Sequence, residues 1–311
     1  MRRWQSWLGL VFVLGGLGYF GRELVTHLDR IPPLEGGIGT WLAVGISLLG
    51  VVLTILIIGL FWRALLADQG VPVRRYTAIR IVAVSQIGKY LPGNLGHYVG
   101  RAGMARANGI PLGVATSTTL LEILWTAALG AGLTAMAIGL LSAGSGSALA
   151  SLVGPWQLLL GCLVLVIAPW PAILILNRVL PGLSQRLNNG KLMTVPSFRV
   201  AMQVGIGLLL CFVMLGVSVT AQVRGLFGVD EGHVGMFVLL FAAAWTAGYL
   251  VPGAPGGVGV REGLIVGLFA PVIGGGAAVG LAVSSRVLTI AGDGLGFLLG
   301  LVMQYREGQR P

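Results

Sequence analysis

"TWLAVGISLLGVVLTILIIGLFW", residues 40–62, carries no charged side chain. About 20 apolar residues cross the hydrocarbon of a bilayer, so the stretch reads as a membrane span. The rest of the chain repeats the pattern. Apolar runs recur at 5–21, 112–141, 155–177, 200–223 and 281–304. Of the 311 residues, 56% are hydrophobic and only 10% charged. The polar connections are too short for a second, soluble domain, so residues 1–311 form a single transmembrane domain. The expected class is an all-α polytopic membrane protein.

Two segments, 77–107 and 234–280, interrupt the pattern. Each has two apolar arms around a Pro/Gly break, "YLPGNLG" at 90–96 and "YLVPGAPGGVG" at 249–259. The chain thus has about six spanning helices plus two broken or re-entrant pairs. Residues 1–142 and 155–304 share one order: span, span, broken pair, span. With opposite starting sides, that is the layout of an inverted repeat, whose breaks enter from opposite faces and meet near the midplane.

The net charge of +10 invites a nucleic-acid reading, but its distribution opposes one. Thirteen Lys and Arg, among them Arg80 and Arg106, fall on the side of the N-terminus; Arg22, Arg30 and Arg224 fall on the other. That asymmetry is the positive-inside rule and places both termini in the cytoplasm. The N-terminal stretch imitates a signal peptide without a small-x-small cleavage site, so a retained first helix is expected. Cys162 and Cys211 sit in apolar runs without metal-binding spacing, and no metal or cofactor is expected. Walker, HExxH, EF-hand and GxSxG patterns are absent from the sequence, which argues against an ATPase, protease or hydrolase. Trp4, Trp7, Trp62 and Trp156 fit interfacial anchors. Gly259, Gly263 and Gly267, and again Gly292, Gly296 and Gly300, line helix faces suited to close packing.

Once the loop charges are set aside, Lys89, Arg101, Arg261, Arg286, Glu122, Glu262 and Asp293 remain at membrane depth. A charge at mid-bilayer costs at least about 2.5–3.5 kcal/mol unless paired or wet. Four cations face three acids, a surplus that suits an anionic ligand. Arg286 and Asp293, seven residues apart, share a helix face. Expected pairings are Glu262 with Arg286 or Lys89, and Arg261 with Asp293. Glu122, Glu262 and Asp293 are candidates for ion pairing or proton transfer. His97 is expected to line the same region. Lys89, Arg101 and Arg106 also fit side chains snorkelling to the interface. The Pro/Gly breaks free backbone groups, which membranes tolerate only where protein or a wet cavity satisfies them. A broken helix also points an N-terminal dipole end inward, favouring an anion. Together these features make a candidate phosphate cradle.

"GKYLPGNLGHYVGR" at 88–101 and "PGAPGGVGVREG" at 252–263 resemble two motifs of the lysylphosphatidylglycerol synthase transmembrane, or flippase-like, family of bacterial membrane proteins. The resemblance covers essentially the whole chain and implies a flippase-type helical fold in the bacterial inner membrane, with a lipid moved between leaflets. Lys89, Tyr90, Pro92 and Gly93 match the first motif, with Asn94 beside them. Pro252, Gly253, Gly259, Arg261 and Glu262 match the second, and Arg286 fits a family-like arginine near the start of the last helix. The family often shows Glu-Arg where this chain has Glu122 and Ile123, so an ion pair within that dipeptide does not carry over. The aminoacyl-transferring domain is missing, so synthesis of an aminoacyl lipid is not expected. The leading expectation is a transporter, not an enzyme, for a membrane lipid with a phosphate headgroup, anionic or polyprenyl-linked. The alternatives are an intramembrane transferase on a lipid-linked substrate and a scaffold for a lipid-modifying enzyme partner. No nucleic-acid partner is expected.

Overall fold

In a computed structural model, the described residues are 36–90, 96–143, 155–187, 190–251 and 255–308, together with Arg22 and Val25. The expected span 5–21, Trp4, Trp7, Pro92, Gly93, Asn94, Pro252 and Gly253 lie outside the described residues, as do the side chains of Trp156 and Cys162.

A chain in lipid must satisfy its backbone internally, and helices do so within one segment. The described elements are accordingly helical: α1 (Ile38–Asp68), α2 (Arg75–Ser85), α3 (Gly96–Ala107), α4 (Leu112–Ala143), α5 (Pro155–Ile167), α6 (Pro169–Val179), α7 (Pro181–Leu187), α8 (Phe198–Phe227), α9 (Val234–Leu250), α10 (Val260–Ile273) and α11 (Gly275–Gly308). Single 3-10 turns cover Gln86–Tyr90 and Pro255–Gly257, one in each break. Four described helices, α1, α4, α8 and α11, are long and apolar enough to cross a membrane. Their outer faces expose large apolar side chains such as Trp41, Ile138, Leu210 and Leu298, as lipid-facing surface should. The chain is an all-α polytopic membrane protein.

Several sequence expectations need correction. The run 155–177 is not one continuous helix but divides at Ala168 into α5 and α6. Pro169 and Pro171 each lack the N–H that would bond one turn back, which interrupts the ladder there. The last span begins at Gly275, absorbing the tail of the second interrupted segment. Trp62 is no interfacial anchor: it is fully buried, and its indole Nε1 donates to Thr118 Oγ1 at 3.0 Å. Arg80 is not in a loop. It lies on the buried face of α2 and donates to Asn108 Oδ1 at 2.6 Å.

Glycine sets how closely the long helices approach. A Cβ on Gly292 would sit 2.6 Å from Val51 Cβ of α1, and one on Gly296 2.5 Å from Ile55 Cδ1. One on Gly300 would sit 2.8 Å from Val84 Cγ2 of α2. This periodic glycine face therefore seats α11 against α1 and α2, the packing role its spacing suggested. Helix neighbours come in matched sets. α1 packs on α8; α2 on α11 and α4 on α9; α2 on α3 and α9 on α10; α3 on α4 and α10 on α11. The two breaks are neighbours at the centre of this arrangement, where the Tyr90 ring lies 3.6 Å from the point a Cβ on Gly256 would occupy.

Candidate functional site

A cavity of about 160 Å³ lies where the breaks meet. Lys89, Arg101, Glu122, Arg261, Arg286 and Asp293 all line it. The seventh residue of the set, Glu262, stands just behind, with its Oε1 3.3 Å from Arg286 Nη1. The structure thus gathers around one chamber seven charges that are scattered over 205 positions of sequence.

The second break shows what two of these charges do. Gly256, Gly257 and Gly259 have φ of 57°, 75° and 83°, a left-handed run that a side chain would strain. The run leaves backbone groups without helical partners. The Gly256 carbonyl accepts from Arg286 Nη1 at 2.7 Å, and the Gly259 N–H donates to Glu262 Oε2 at 2.7 Å. Arg286 and Glu262 therefore bind each other and the freed backbone. Glu262 also sits in the first turn of α10, where the helix dipole favours an anion. The Gly259 N–H is occupied by this carboxylate.

The first break is held across the chamber. Lys89 Nζ lies 2.6 Å from Asp293 Oδ2 of α11, and the Tyr90 hydroxyl donates to the same oxygen. Asp293 is thus engaged by Lys89 and Tyr90, not by Arg261 as expected. Gly88 explains how the arms close on each other: a Cβ there would stand 2.6 Å from the Gly96 carbonyl carbon and 2.7 Å from His97 N. His97 is buried on the chamber wall.

Arg101 is not a snorkelling residue. It is only 1% exposed and donates to Glu122 Oε2 at 2.5 Å. Its guanidinium lies 5.5 Å from the Trp62 ring centroid and 5.8 Å from that of Tyr98, within cation–π range. The acid at 122, followed here by Ile123, finds its cation on α3 rather than next door. Arg106 is exposed on α3, away from the chamber.

Arg261 differs from the other three cations. It is buried, and its Nη2 donates to a neutral hydroxyl, Thr289 Oγ1, at 3.1 Å. The Phe241 ring lies 5.4 Å away. Among the described residues it has no carboxylate within salt-bridge distance, and its Nε has no hydrogen-bond partner.

The rest of the wall was missed by the subtraction of charges. Tyr98 and Tyr249, one beside each break, share a hydroxyl contact of 2.7 Å. Trp245 stacks on Tyr249 with centroids 5.0 Å apart, and Phe212 meets Trp245 edge-on at 5.5 Å. Thr289 falls between Arg286 and Asp293 on their shared face of α11, a spacing that could have found it. Tyr98 and Tyr249 flank the Pro/Gly motifs, and Trp245 precedes Tyr249 by one turn.

A family model described as the lysylphosphatidylglycerol synthase TM region matches residues 6–295. Among curated proteins, none matches the chain significantly.

Proposed function

The chain belongs to the lysylphosphatidylglycerol synthase TM region family, whose name ties it to membrane lipids, and from that premise we propose that it moves a phosphate-bearing lipid headgroup between leaflets. The observation that carries this reading is the charged chamber itself: four cations and three acids around one cavity between two broken helices. Its volume of about 160 Å³ admits a phosphate headgroup, while the acyl chains stay in lipid. Preorganised cations offset the desolvation of the phosphate. In this reading the chain is a transporter and not an enzyme, it resides in a bacterial inner membrane, and its termini are cytoplasmic.

We read the two halves as an inverted repeat rocking around the chamber. Helices α1 and α8 begin at Ile38 and Phe198, 160 residues apart. The same interval separates Pro92-Gly93 from Pro252-Gly253, Arg101 from Arg261, and Gly103 from Gly263. The matched helix neighbours support the same reading.

The test is translocation of fluorescently labelled phosphatidylglycerol in proteoliposomes, followed by dithionite quenching of the outer leaflet. The protein should raise the rate above that of protein-free vesicles, and Lys89→Gln, Arg261→Gln and Arg286→Gln should lower it. Rates equal to empty vesicles, or unchanged in all three variants, would remove the proposal. A new labelled product formed by the purified protein would favour a transferase instead.

A further inference from the structure

We infer that a small polar cavity beside the chamber holds water, and that it is the inner end of a route by which solvent reaches the chamber from the membrane face where α1 begins and α8 ends. The cavity lies among α1, α8, α9 and α11 and has a volume of about 10 Å³. A single water occupies roughly 10–15 Å³ of such space and needs about two to four polar partners. The polar lining is Ser47, Ser218, Gln222, Ser285 and Thr289. The first four are buried. Thr289 also lines the chamber, as do Val51 and Leu215, so the two spaces share a wall.

The hydrogen bonds decide what the cavity takes. A hydroxyl has one proton to donate and two lone pairs. All four hydroxyls spend the proton on a helix carbonyl: Ser47 on Ser218 at 3.4 Å, Ser218 on Met214 at 2.9 Å, Ser285 on Ala282 at 3.2 Å and Thr289 on Ser285 at 2.6 Å. Gln222 Nε2 donates to Ser47 Oγ at 3.1 Å, and Arg261 Nη2 to Thr289 Oγ1 at 3.1 Å. Each oxygen keeps at least one further lone pair, so the lining calls for a donor. Water and a small cation both answer. The lining holds no carboxylate, and the positive Arg261 is bonded to one of its members, which favours water.

The two ends of the α1–α8 pair differ in the same sense. Trp62 and Gln222 are 160 residues apart, the interval that relates the two breaks. Trp62 closes its end with a fully buried indole bonded to Thr118 and covered by Arg101. At the other end the Gln222 amide bridges Ser47 of α1 and Ser284 of α11. Gln222 is five residues from the end of α8, roughly 8 Å of helix rise. Within that distance Thr40 Oγ1 donates to the Gly225 carbonyl at 3.1 Å. Polar side chains thus step inward from that face to Thr289. Serine and glutamine also glue helices in lipid, but glue alone requires neither a cavity nor spare lone pairs.

The experiment uses the full-length chain in nanodiscs and proteoliposomes. X-ray radiolysis makes hydroxyl radicals from water in place, and mass spectrometry reads which side chains they oxidise. Phe241 lines the cavity; Phe237, one turn away on α9 and equally buried, does not. In the wild-type protein Phe241 should be oxidised several-fold faster than Phe237, and Gln222→Leu should bring the two rates together. The direction is read with silver ions added to one side of vesicles, in a Cys162→Ser, Cys211→Ser background, with the remaining free thiols counted after denaturation. Thr40→Cys, Ser47→Cys and Ser285→Cys should be blocked from the face of Ile38 and Phe227, in that order of rate. Thr118→Cys should react at least about tenfold more slowly from either side, because a thiol in dry apolar surroundings is inert. Equal oxidation of the two phenylalanines, or Ser47→Cys and Ser285→Cys as slow as Thr118→Cys, would overturn the route. Faster blocking from the opposite face would overturn its direction. Stabilisation of the wild-type protein by sodium over choline would give the cavity to a cation and overturn the water.

Discussion

Glu122→Ala tests the physics of the chamber most directly. The substitution leaves Arg101, 1% exposed, with its main partner gone. Removing one member of a buried pair costs about 3–5 kcal/mol, because the survivor is an uncompensated charge. Replacing both members by apolar residues, Arg101→Met with Glu122→Ala, removes the charge altogether. The double variant then loses chiefly the cation–π contacts over Trp62 and Tyr98, about 0.5–2 kcal/mol each. The double variant should therefore be no worse than Glu122→Ala, and a double-mutant cycle should give a coupling of about 2 kcal/mol or more. Reversible unfolding in mixed micelles, followed by fluorescence of the buried Trp62 and Trp125, measures all four corners. A cost of Glu122→Ala below about 1 kcal/mol, or costs that simply add, would refute the claim that this pair is dry and mutually dependent.

Gly88→Ala should separate the two arms of the first break, since its Cβ meets backbone at 2.6 Å and backbone cannot rotate away. The expected loss is about 1–3 kcal/mol of stability in the same unfolding assay, together with slower lipid translocation. Tyr90→Phe keeps the Lys89–Asp293 contact and removes one donor from Asp293; it should cost about 1.5–3 kcal/mol by the same measurement.

The sequence made the fold class legible because bilayer length and backbone satisfaction leave few options, and α1, α4, α8 and α11 follow the apolar runs closely. It missed the division at Ala168, because composition alone reads Pro169 and Pro171 as tolerated members of an apolar run. Subtracting loop charges found the seven charged residues gathered at the chamber, since burying a charge is expensive enough to leave a visible mark. It paired Glu262 with Arg286, one of the two partners expected for that acid, but not the others. The expectation that Arg261 meets Asp293 failed because Lys89 and Tyr90, from the other half of the chain, reach that carboxylate first. Such long-range choices depend on which helices are neighbours, and spacing within one helix does not report that. Trp62 was misread for a related reason. A tryptophan at the end of an apolar run resembles an interfacial anchor unless one knows that α4 brings Thr118 to its N–H.

The way the polar contacts are distributed also governs how the chamber can open. Arg101–Glu122 joins α3 to α4, and Arg286–Glu262 joins α11 to α10, so both act as rivets inside one half. The Asp293 cluster with Lys89 and Tyr90, and the Tyr98–Tyr249 hydroxyl contact, are instead seams between the halves. If the halves part at the chamber, these seams must tear while the rivets travel intact with their own helices. Headgroup entry through the chamber would then require breaking the contacts of one carboxylate and one pair of phenols.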